Sequence, residues 1–238
     1  MKLVTKLYLF IGGIVVVALA ALGLYIYSFM QTEITDSLNE SISAELNYYA
    51  QMVDLEVKSK KEQVRIAINF ANNYLASLGS ITELPEKTSV AEHSVNKWMI
   101  KGQVVQNSSD IVDYVKKNGG ADVVTIFQKT PNGYLRVSTN VITREGKVAT
   151  GTVIGFDSPV AQALERGETY VGRAYVVDTW YRTIYEPIRI NGEIKGAFFV
   201  GVNELEYDAL SQYFKNSISK KTGYSYIVNS EGLLTAHP

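Results

Sequence analysis

The chain has 238 residues, and its 23 lysines and arginines nearly balance its 24 aspartates and glutamates, for a formal net charge of −1. This balance argues against nucleic acid as a partner, because binding phosphates requires a basic surface. The absence of cysteine excludes disulfides and thiolate chemistry. With His93 and His237 as the only histidines, no metal site and no cofactor are expected.

An uncharged stretch, "LYLFIGGIVVVALAALGLYIYSFM", occupies residues 7–30. A bilayer core about 30 Å thick needs roughly 20 apolar helical residues, so this stretch predicts a transmembrane helix. Lys2 and Lys6 precede it, and the first charge after it is Glu33. By the positive-inside rule, residues 1–6 stay in the cytoplasm and the rest of the chain lies outside.

A cleaved signal peptide is the alternative, because Ala18-Leu19-Ala20 has the form of a cleavage site. The apolar stretch continues for ten residues beyond Ala20, which is wrong for a cleavage site and favours a retained anchor.

Residues 31–79 predict one long extracytoplasmic helix, because apolar residues recur at steps of three, four or seven. No proline interrupts it, Gly79 is suited to end it, and its length would be roughly 70 Å. Either the helix packs on its own domain throughout, or part of it pairs with a second copy in a homodimer. The apolar positions are Ile34, Leu38, Ile42, Leu46, Tyr49, Val53, Val57, Val64, Ile68, Ala71, Leu75 and Leu78.

The region from residue 81 to about 120 mixes Pro, Ser, Asn and Gly with few periodic positions, and is predicted to be loop with short elements. Near its end, "DIVDYVKKNGG" from Asp110 predicts a helix. Its apolar residues share one face, and Asn118-Gly119-Gly120 forms the C-cap.

Beyond residue 120 the period changes to the alternation of β-strands. Asn191-Gly192 between the last two strands is the preferred pair for a type I′ hairpin. Ser158-Pro159 opens a short helix that Gly167 closes. The result is an α+β module with one antiparallel sheet of five or six strands. The strand candidates are "ADVVTIFQ", "YLRVSTNV", "ATGTVIG", "TYVGRAYVVD", "WYRTIYEPIRI" and "EIKGAFFVGV".

Residues 203–221 predict a connecting helix, and a strand, turn and returning strand follow from Tyr224. "TIFQKTPNGYLRVS" and "YIVNSEGLLTAH" share this pattern, with Gly133 and Gly232 in equivalent places. We therefore expect a second module of the same kind to start at Tyr224, which would make the chain a fragment of a longer protein.

Residues 95 to 238 resemble the extracytoplasmic Cache sensors in which a Cache3-type module is fused to a Cache2-type module. "VDYVKKNGGADVVTIFQKTPNGYLRVSTNV", "SPVAQALERGETYVGRAYVVDTWYRTIYEPI", "GEIKGAFFVGV" and "KKTGYSYIVNSEGLLTAHP" carry the resemblance. It implies a PAS-like first module at 80–203, a connecting helix at 204–223, and the start of the second module at 224–238.

Proteins with this arrangement are mostly methyl-accepting chemotaxis transducers. The resemblance therefore implies a bacterial inner-membrane chemoreceptor that binds a small molecule outside and controls a cytoplasmic histidine kinase through further domains. The alternative is the same sensor on a membrane histidine kinase or a diguanylate cyclase. A ligand-free adhesion or scaffold domain is a third interpretation.

Binding chemistry is concentrated in "YVGRAYVVDTWYRTIYEP", where aromatic rings give flat apolar walls and arginine can grip a carboxylate. Alternation places Tyr181 and Tyr185 on the face of their strand opposite Trp180. The same tyrosines could instead only cover half-buried sheet surface. The candidate ligand-binding residues are Arg173, Tyr175, Trp180, Tyr181 and Tyr185, with Arg136 and Ser138 as secondary candidates.

The stretch departs from a related motif. Cache sensors that bind amino acids carry Arg-x-Trp-Tyr, and here Asp178 stands in the place of that arginine. An amino-acid ligand in the first module is therefore in doubt, while Asp178 itself is either an amine contact or a turn residue. No catalytic site is predicted, because a serine nucleophile would need a neighbouring base, and the two histidines lie in a loop and at the end of the chain.

Overall fold

The computed structural model of the protein describes residues 3–204 and, beyond them, 218–219, 223–224, 226–228 and 234–236. Contacts divide the chain into two units, Met1–Asp54 and Leu55–Pro238. Helix α1 (Leu3–Leu78) belongs to both and ends at Gly79, whose positive φ of 97° stops it. Its N-terminal part is long and apolar enough to cross a membrane.

The second unit buries the C-terminal part of the α1 stripe. Val64, Ala67, Ile68 and Ala71 all lie in its core, at the spacing of one helix face. Apolar residues earlier in the stripe, such as Ile34, are exposed in the first unit. The last turns of the helix therefore pack into the core of the second unit.

Three strands form a separate antiparallel sheet directly after α1: β1 (Thr82–Val90), β2 (His93–Ile100) and β3 (Gln103–Val104). The sequence-based expectation of loop with short elements was wrong for residues 82–104, which form these strands. The strands escaped notice because a bulge between Leu84 and Lys87, at Pro85, interrupts the alternation of β1. β1 is also mostly exposed and polar, and apart from Val90 the apolar residues that anchor the sheet, such as Trp98, come from β2.

Helix α2 (Asp110–Gly119) and helix α3 (Pro159–Glu165) form where the sequence predicts them. Gly120 adopts the left-handed conformation after α2, as a C-cap glycine does. The hydroxyl oxygen of Ser158 accepts a hydrogen bond from the Ala161 N–H at 3.0 Å, which caps the start of α3.

A six-stranded antiparallel sheet is the main layer, with the strand order β6-β5-β4-β9-β8-β7. It confirms the predicted α+β fold with its antiparallel sheet, and Asn191-Gly192 forms the turn between β8 and β9 with positive φ at both residues. The strands are β4 (Val123–Thr130), β5 (Gly133–Thr139), β6 (Val153–Ile154), β7 (Tyr170–Val176), β8 (Thr179–Ile190) and β9 (Glu193–Asn203).

The two faces of this sheet carry two separate cores. On the face that we call the α1 face, Ile126, Ile184 and Phe198 pack with residues of α1, α2 and β2. On the opposite face, the α3 face, Phe127, Tyr185 and Phe199 pack with α3 and with residues of the 140–152 loop. Neighbouring residues of one strand thus enter different cores, as strand alternation requires.

Past Glu204, two short antiparallel pairs are described: β10 (Ile218–Ser219) with β11 (Gly223–Tyr224), and β12 (Ile227–Val228) with β13 (Leu234–Ala236). The predicted connecting helix is wrong at Ile218–Ser219, which pair with Gly223–Tyr224 as antiparallel strands, and the β-branched isoleucine suits a strand. Residues 205–217 of that helix lie outside the described residues.

Candidate functional site

The predicted binding residues lie on opposite faces of the six-stranded sheet. Arg173 pairs across the strands with Arg182, and Tyr175 pairs with Trp180, and these residues belong to the α1 face. Tyr181 and Tyr185 belong to the α3 face, as the alternation predicts. The structure therefore does not bring the predicted residues together into one cluster.

Arg136 joins the α3 group. Its side chain extends from β5 over the ring of Phe127, with its guanidinium carbon 5.4 Å from the ring centre. Its Nη1 donates to Thr152 Oγ1 at 2.8 Å and, at the limit of hydrogen bonding, to the Ala149 carbonyl at 3.5 Å. Backbone bonds from Arg136 to Thr152 and Gly151 hold the 149–152 segment beside the strand. Arg136 thus holds the 149–152 segment through its backbone as well as through its side chain.

The charge of Arg136 is buried without a carboxylate. The residue is 8% exposed, and among the described residues its Nε atom has no hydrogen-bond partner and its guanidinium has no ion pair. Burial lowers the pKa of Arg136, and the neighbouring Tyr185 opposes this shift only in part. A buried cation normally pairs with an anion. This guanidinium could therefore bind an anion that the described residues do not supply.

Buried aromatic rings pack beside this guanidinium. Tyr185 lies 4.5 Å from Phe199, 6.0 Å from Phe127 and 5.9 Å from Tyr170, measured between ring centres. Tyr185 is 3% exposed, and burial raises the pKa of its hydroxyl above the usual range. Its phenol therefore remains a neutral hydrogen-bonding group at any physiological pH.

A cavity of about 420 Å³ opens at Arg136. Ala149, Thr152 and Val177 also line it, and the exposed 143–145 segment adds Arg144 and Glu145. Counting Arg136, the lining has one more positive than negative charge. A cavity of this size suits a small metabolite.

Val177 forms the cavity wall from the tip of the β7–β8 hairpin. The Asp178 N–H donates to the Val176 carbonyl at 2.8 Å, which closes a three-residue γ-turn with Val177 at its centre and φ at 61°. Positive φ is strained for a β-branched residue. Asp178 is the exposed turn residue that one of the two sequence interpretations proposed.

The arginines of the α1 face have a carboxylate. Glu204, whose side chain is 5% exposed, forms ion pairs with Arg173 and Arg182, and its oxygen lies 2.9 Å from Arg182 Nε. The guanidinium of Arg173 also stacks 4.6 Å above the Trp180 ring. The charges of this cluster are therefore paired within the chain, although Arg182 Nε is too poorly aligned with the Glu204 oxygen to form a hydrogen bond.

Ser138 has a structural partner, because its buried hydroxyl donates to the Ser108 carbonyl at 2.6 Å. Sequence reasoning missed Thr152, Val177 and Glu204. Thr152 and Glu204 reach their arginine partners through the register of the strands, which the local sequence does not reveal. Val177 was missed because valine is not a residue that indicates a turn with positive φ. Within the described part of the chain, no three His, Asp or Glu residues come close enough to hold a metal ion.

An α+β sensory module is therefore the class of protein that this arrangement defines, with a sheet that carries a ligand-sized cavity on one face. The chain belongs to the Cache 3/Cache 2 fusion domain family, whose model matches residues 27–238. It is thus a Cache sensor domain.

Two solved structures are similar to the chain at low identity. One is the extracellular domain of mmHK1S-Z2, a protein assigned as a histidine kinase, with 17% identity and a TM-score of 0.33. That match covers 55% of this chain and 56% of the other, so it spans little more than half of that domain. The other is the sensory domain of the Campylobacter jejuni chemoreceptor Tlp3 (CcmL), with 12% identity, a TM-score of 0.32, and coverage of 79% of this chain and 73% of that one. No curated protein matches the chain.

Proposed function

We propose that this chain is the ligand-sensing region of a bacterial chemoreceptor, and that its first module binds a small carboxylate at Arg136. The N-terminal part of α1 is its retained anchor in the inner membrane, and the sensor modules lie on the extracytoplasmic side. The observation that carries the ligand assignment is a guanidinium that is 8% exposed, faces a cavity and has no carboxylate partner among the described residues.

The donor geometry favours a carboxylate. Nη1 of Arg136 already donates to Thr152, while Nε has no partner but is itself buried, so a carboxylate oxygen would accept from the Nε side of the fork once neighbouring side chains have moved aside. Burying a guanidinium typically costs several kcal/mol of desolvation free energy. A charge-assisted hydrogen bond to a carboxylate would offset that cost. We assign Tyr185 and Tyr181 to the apolar wall of the same site.

We do not assign ligand contacts to Arg173, Tyr175 and Trp180. Both arginines of that cluster already pair with Glu204, and Tyr175 packs against Trp180 with ring centres 5.3 Å apart.

Thermal unfolding of the full chain in detergent tests the ligand class. Acetate, pyruvate and succinate are compared with their neutral amides and with choline, each at increasing concentration. A bound ligand at 100 times its Kd stabilises the native state by about 2.7 kcal/mol, which is a readily measured shift in Tm. We expect at least one carboxylate to raise Tm and its amide to have no effect.

Two arginine variants control that experiment. Arg136→Met should abolish the carboxylate shift, while Arg166→Met, which removes an exposed arginine paired with Glu168, should keep it. A shift that survives in Arg136→Met, or the absence of a shift with every carboxylate, contradicts the ligand assignment.

The output and the anchor have separate tests. We propose that a cytoplasmic histidine kinase is controlled by domains encoded downstream of Pro238, in a homodimer. A HAMP linker and a methyl-accepting helical hairpin in that reading frame would support a chemoreceptor, whereas a kinase or diguanylate cyclase domain would favour the alternative.

The N-terminal sequence of the mature protein decides between anchor and signal peptide, because cleavage near Ala20 would remove the proposed membrane helix.

A further inference from the structure

The β7–β8 hairpin contacts both faces of the sheet. Its tip residue Val177 lines the Arg136 cavity on the α3 face. A few residues away, Arg173, Trp180 and Arg182 stand on the α1 face and hold Glu204. A displacement of the tip must therefore also displace the residues that grip Glu204, because both sets belong to the same two strands.

Glu204 stands where the chain leaves the sheet. It is the residue directly after β9, and its N–H donates to the Trp180 carbonyl at 2.9 Å. Its carboxylate, 5% exposed, bridges an arginine of β7 and an arginine of β8. The hairpin and the exit of the chain are thus joined by one backbone hydrogen bond and two ion pairs.

The tip of the hairpin is held in a strained conformation. A β-branched residue at a φ of 61° is strained, and this conformation persists only where surrounding contacts impose it. Val177 packs against the α3-face core, and the same side chain borders the cavity. A ligand beside Arg136 would press on this turn, and relief of its strain would favour a second conformation.

We infer that Glu204 is a positioning residue that couples the Arg136 cavity to the segment following β9. Occupation of the cavity shifts the Val177 turn, the hairpin carries the shift through Arg173 and Arg182, and Glu204 passes it to the chain at the exit of the first module. This inference rests on the proposed function for its ligand. The ion pairs between Glu204 and the hairpin do not depend on a ligand.

Trp180 reports this coupling. The chain has two tryptophans, and Trp98 is fully buried whereas Trp180 is 39% exposed, so acrylamide quenches mainly Trp180. Trp180 lies on the face opposite the cavity, and a ligand at Arg136 cannot touch it. Any effect of the ligand on its fluorescence must therefore be transmitted through the hairpin.

The first measurement needs no ligand. In the full chain in detergent, Glu204→Gln should raise acrylamide quenching of Trp180, and Glu204→Asp should restore part of the protection because it keeps the charge. Glu168→Gln, which removes an exposed pair with Arg166, should leave quenching at the wild-type level. Equal quenching in wild type and Glu204→Gln would overturn the inference. If Glu204→Gln does not fold, Arg173→Lys is the second variant to measure, because it keeps the charge.

The second measurement adds pyruvate and follows binding by calorimetry and Trp180 fluorescence together. We expect wild type to show both, and Glu204→Gln to keep binding while its fluorescence response is lost. An undiminished response in Glu204→Gln, or loss of binding as in Arg136→Met, would overturn the coupling role. If wild type binds none of acetate, pyruvate and succinate, the proposed function fails, and the quenching measurement alone decides whether Glu204 holds the hairpin.

Discussion

Arg136 and Arg182 lie on opposite faces of the same sheet, and their surroundings differ in one respect. Arg182 has the buried carboxylate of Glu204 at 2.9 Å, whereas Arg136 has only neutral acceptors, a threonine hydroxyl and a backbone carbonyl. Burying an ion costs several kcal/mol, and a partner of opposite charge offsets that cost. The arginines of the α1 face are therefore paired with a carboxylate of the chain itself, whereas Arg136 on the α3 face would be paired by the carboxylate ligand that we propose.

The aromatic residues show the same difference. Trp180 is 39% exposed and stacks with an arginine that is already paired, while Tyr185 is almost fully buried among other rings. In the sequence both belong to one dense stretch. The density of aromatic residues thus indicates an important hairpin but does not say which of its faces carries the ligand.

The largest expected effects come from two adjacent phenylalanines of β9 that enter different cores. Phe198 packs on the α1 face and Phe199 on the α3 face, and each is at most 1% exposed. Phe→Ala at either position should lower the free energy of unfolding by about 3–5 kcal/mol. Only Phe199→Ala should also weaken carboxylate binding, because Phe199 supports Tyr185. Chemical denaturation and calorimetry at low temperature measure the two effects, and equal weakening by both variants would contradict the assignment of the cavity to one face.

The next comparison replaces each arginine with methionine. Arg182→Met leaves Glu204 with one partner and should destabilise the protein by about 1–3 kcal/mol, less than in a fully buried pair because Arg173 is half-exposed. Arg136→Met removes a buried cation that has no carboxylate and should leave stability unchanged or raise it by about 1 kcal/mol. Thermal unfolding without added carboxylate gives the sign. Destabilisation by Arg136→Met as large as by Arg182→Met would mean that Arg136 is already paired.

Much of this comparison could be predicted from local sequence. Alternation in "WYRTIYEP" assigns Tyr181 and Tyr185 to one face, and Asn191-Gly192 sets the hairpin that follows, because both signals lie within a few neighbouring residues. The meeting of Glu204 with Arg173 depends on the register of three strands, which local patterns do not determine. The β1–β3 sheet was missed for a different reason, since the bulge at Pro85 removes the period that identifies a strand.

The strained turn offers a smaller test of the α3 face. Asparagine tolerates positive φ better than valine does, so Val177→Asn should relieve the turn at the expense of some apolar contact. We expect a net gain of up to about 1 kcal/mol in the free energy of unfolding, measured by chemical denaturation. Carboxylate affinity should change as well, because the residue borders the cavity. Asp178→Asn, at the exposed neighbouring position, is the matched control. A loss of stability in Val177→Asn would show that the turn is not strained.

The smallest expected effect concerns Glu165, a carboxylate at the end of helix α3. Glu165 accepts hydrogen bonds from Lys129 at 2.6 Å and from Tyr134 at 2.8 Å. Burial acts to raise the pKa of Glu165, but these two donors outweigh it and hold the pKa below its usual value of 4.5. A lowered pKa in the folded state contributes stability above pH 4.5, and this contribution is lost as the pH falls through the folded-state pKa.

Glu165→Gln should therefore lower Tm slightly at pH 7 and leave it unchanged at pH 3, since a half-exposed pair is worth about 0–1 kcal/mol. Tyr134→Phe removes one donor and should show part of the same pH dependence. A Tm difference between wild type and Glu165→Gln that is equal at both pH values would mean that packing, and not charge, explains it. Carboxylate binding should persist in Glu165→Gln, because Glu165 is engaged by Lys129 and Tyr134 and does not line the Arg136 cavity.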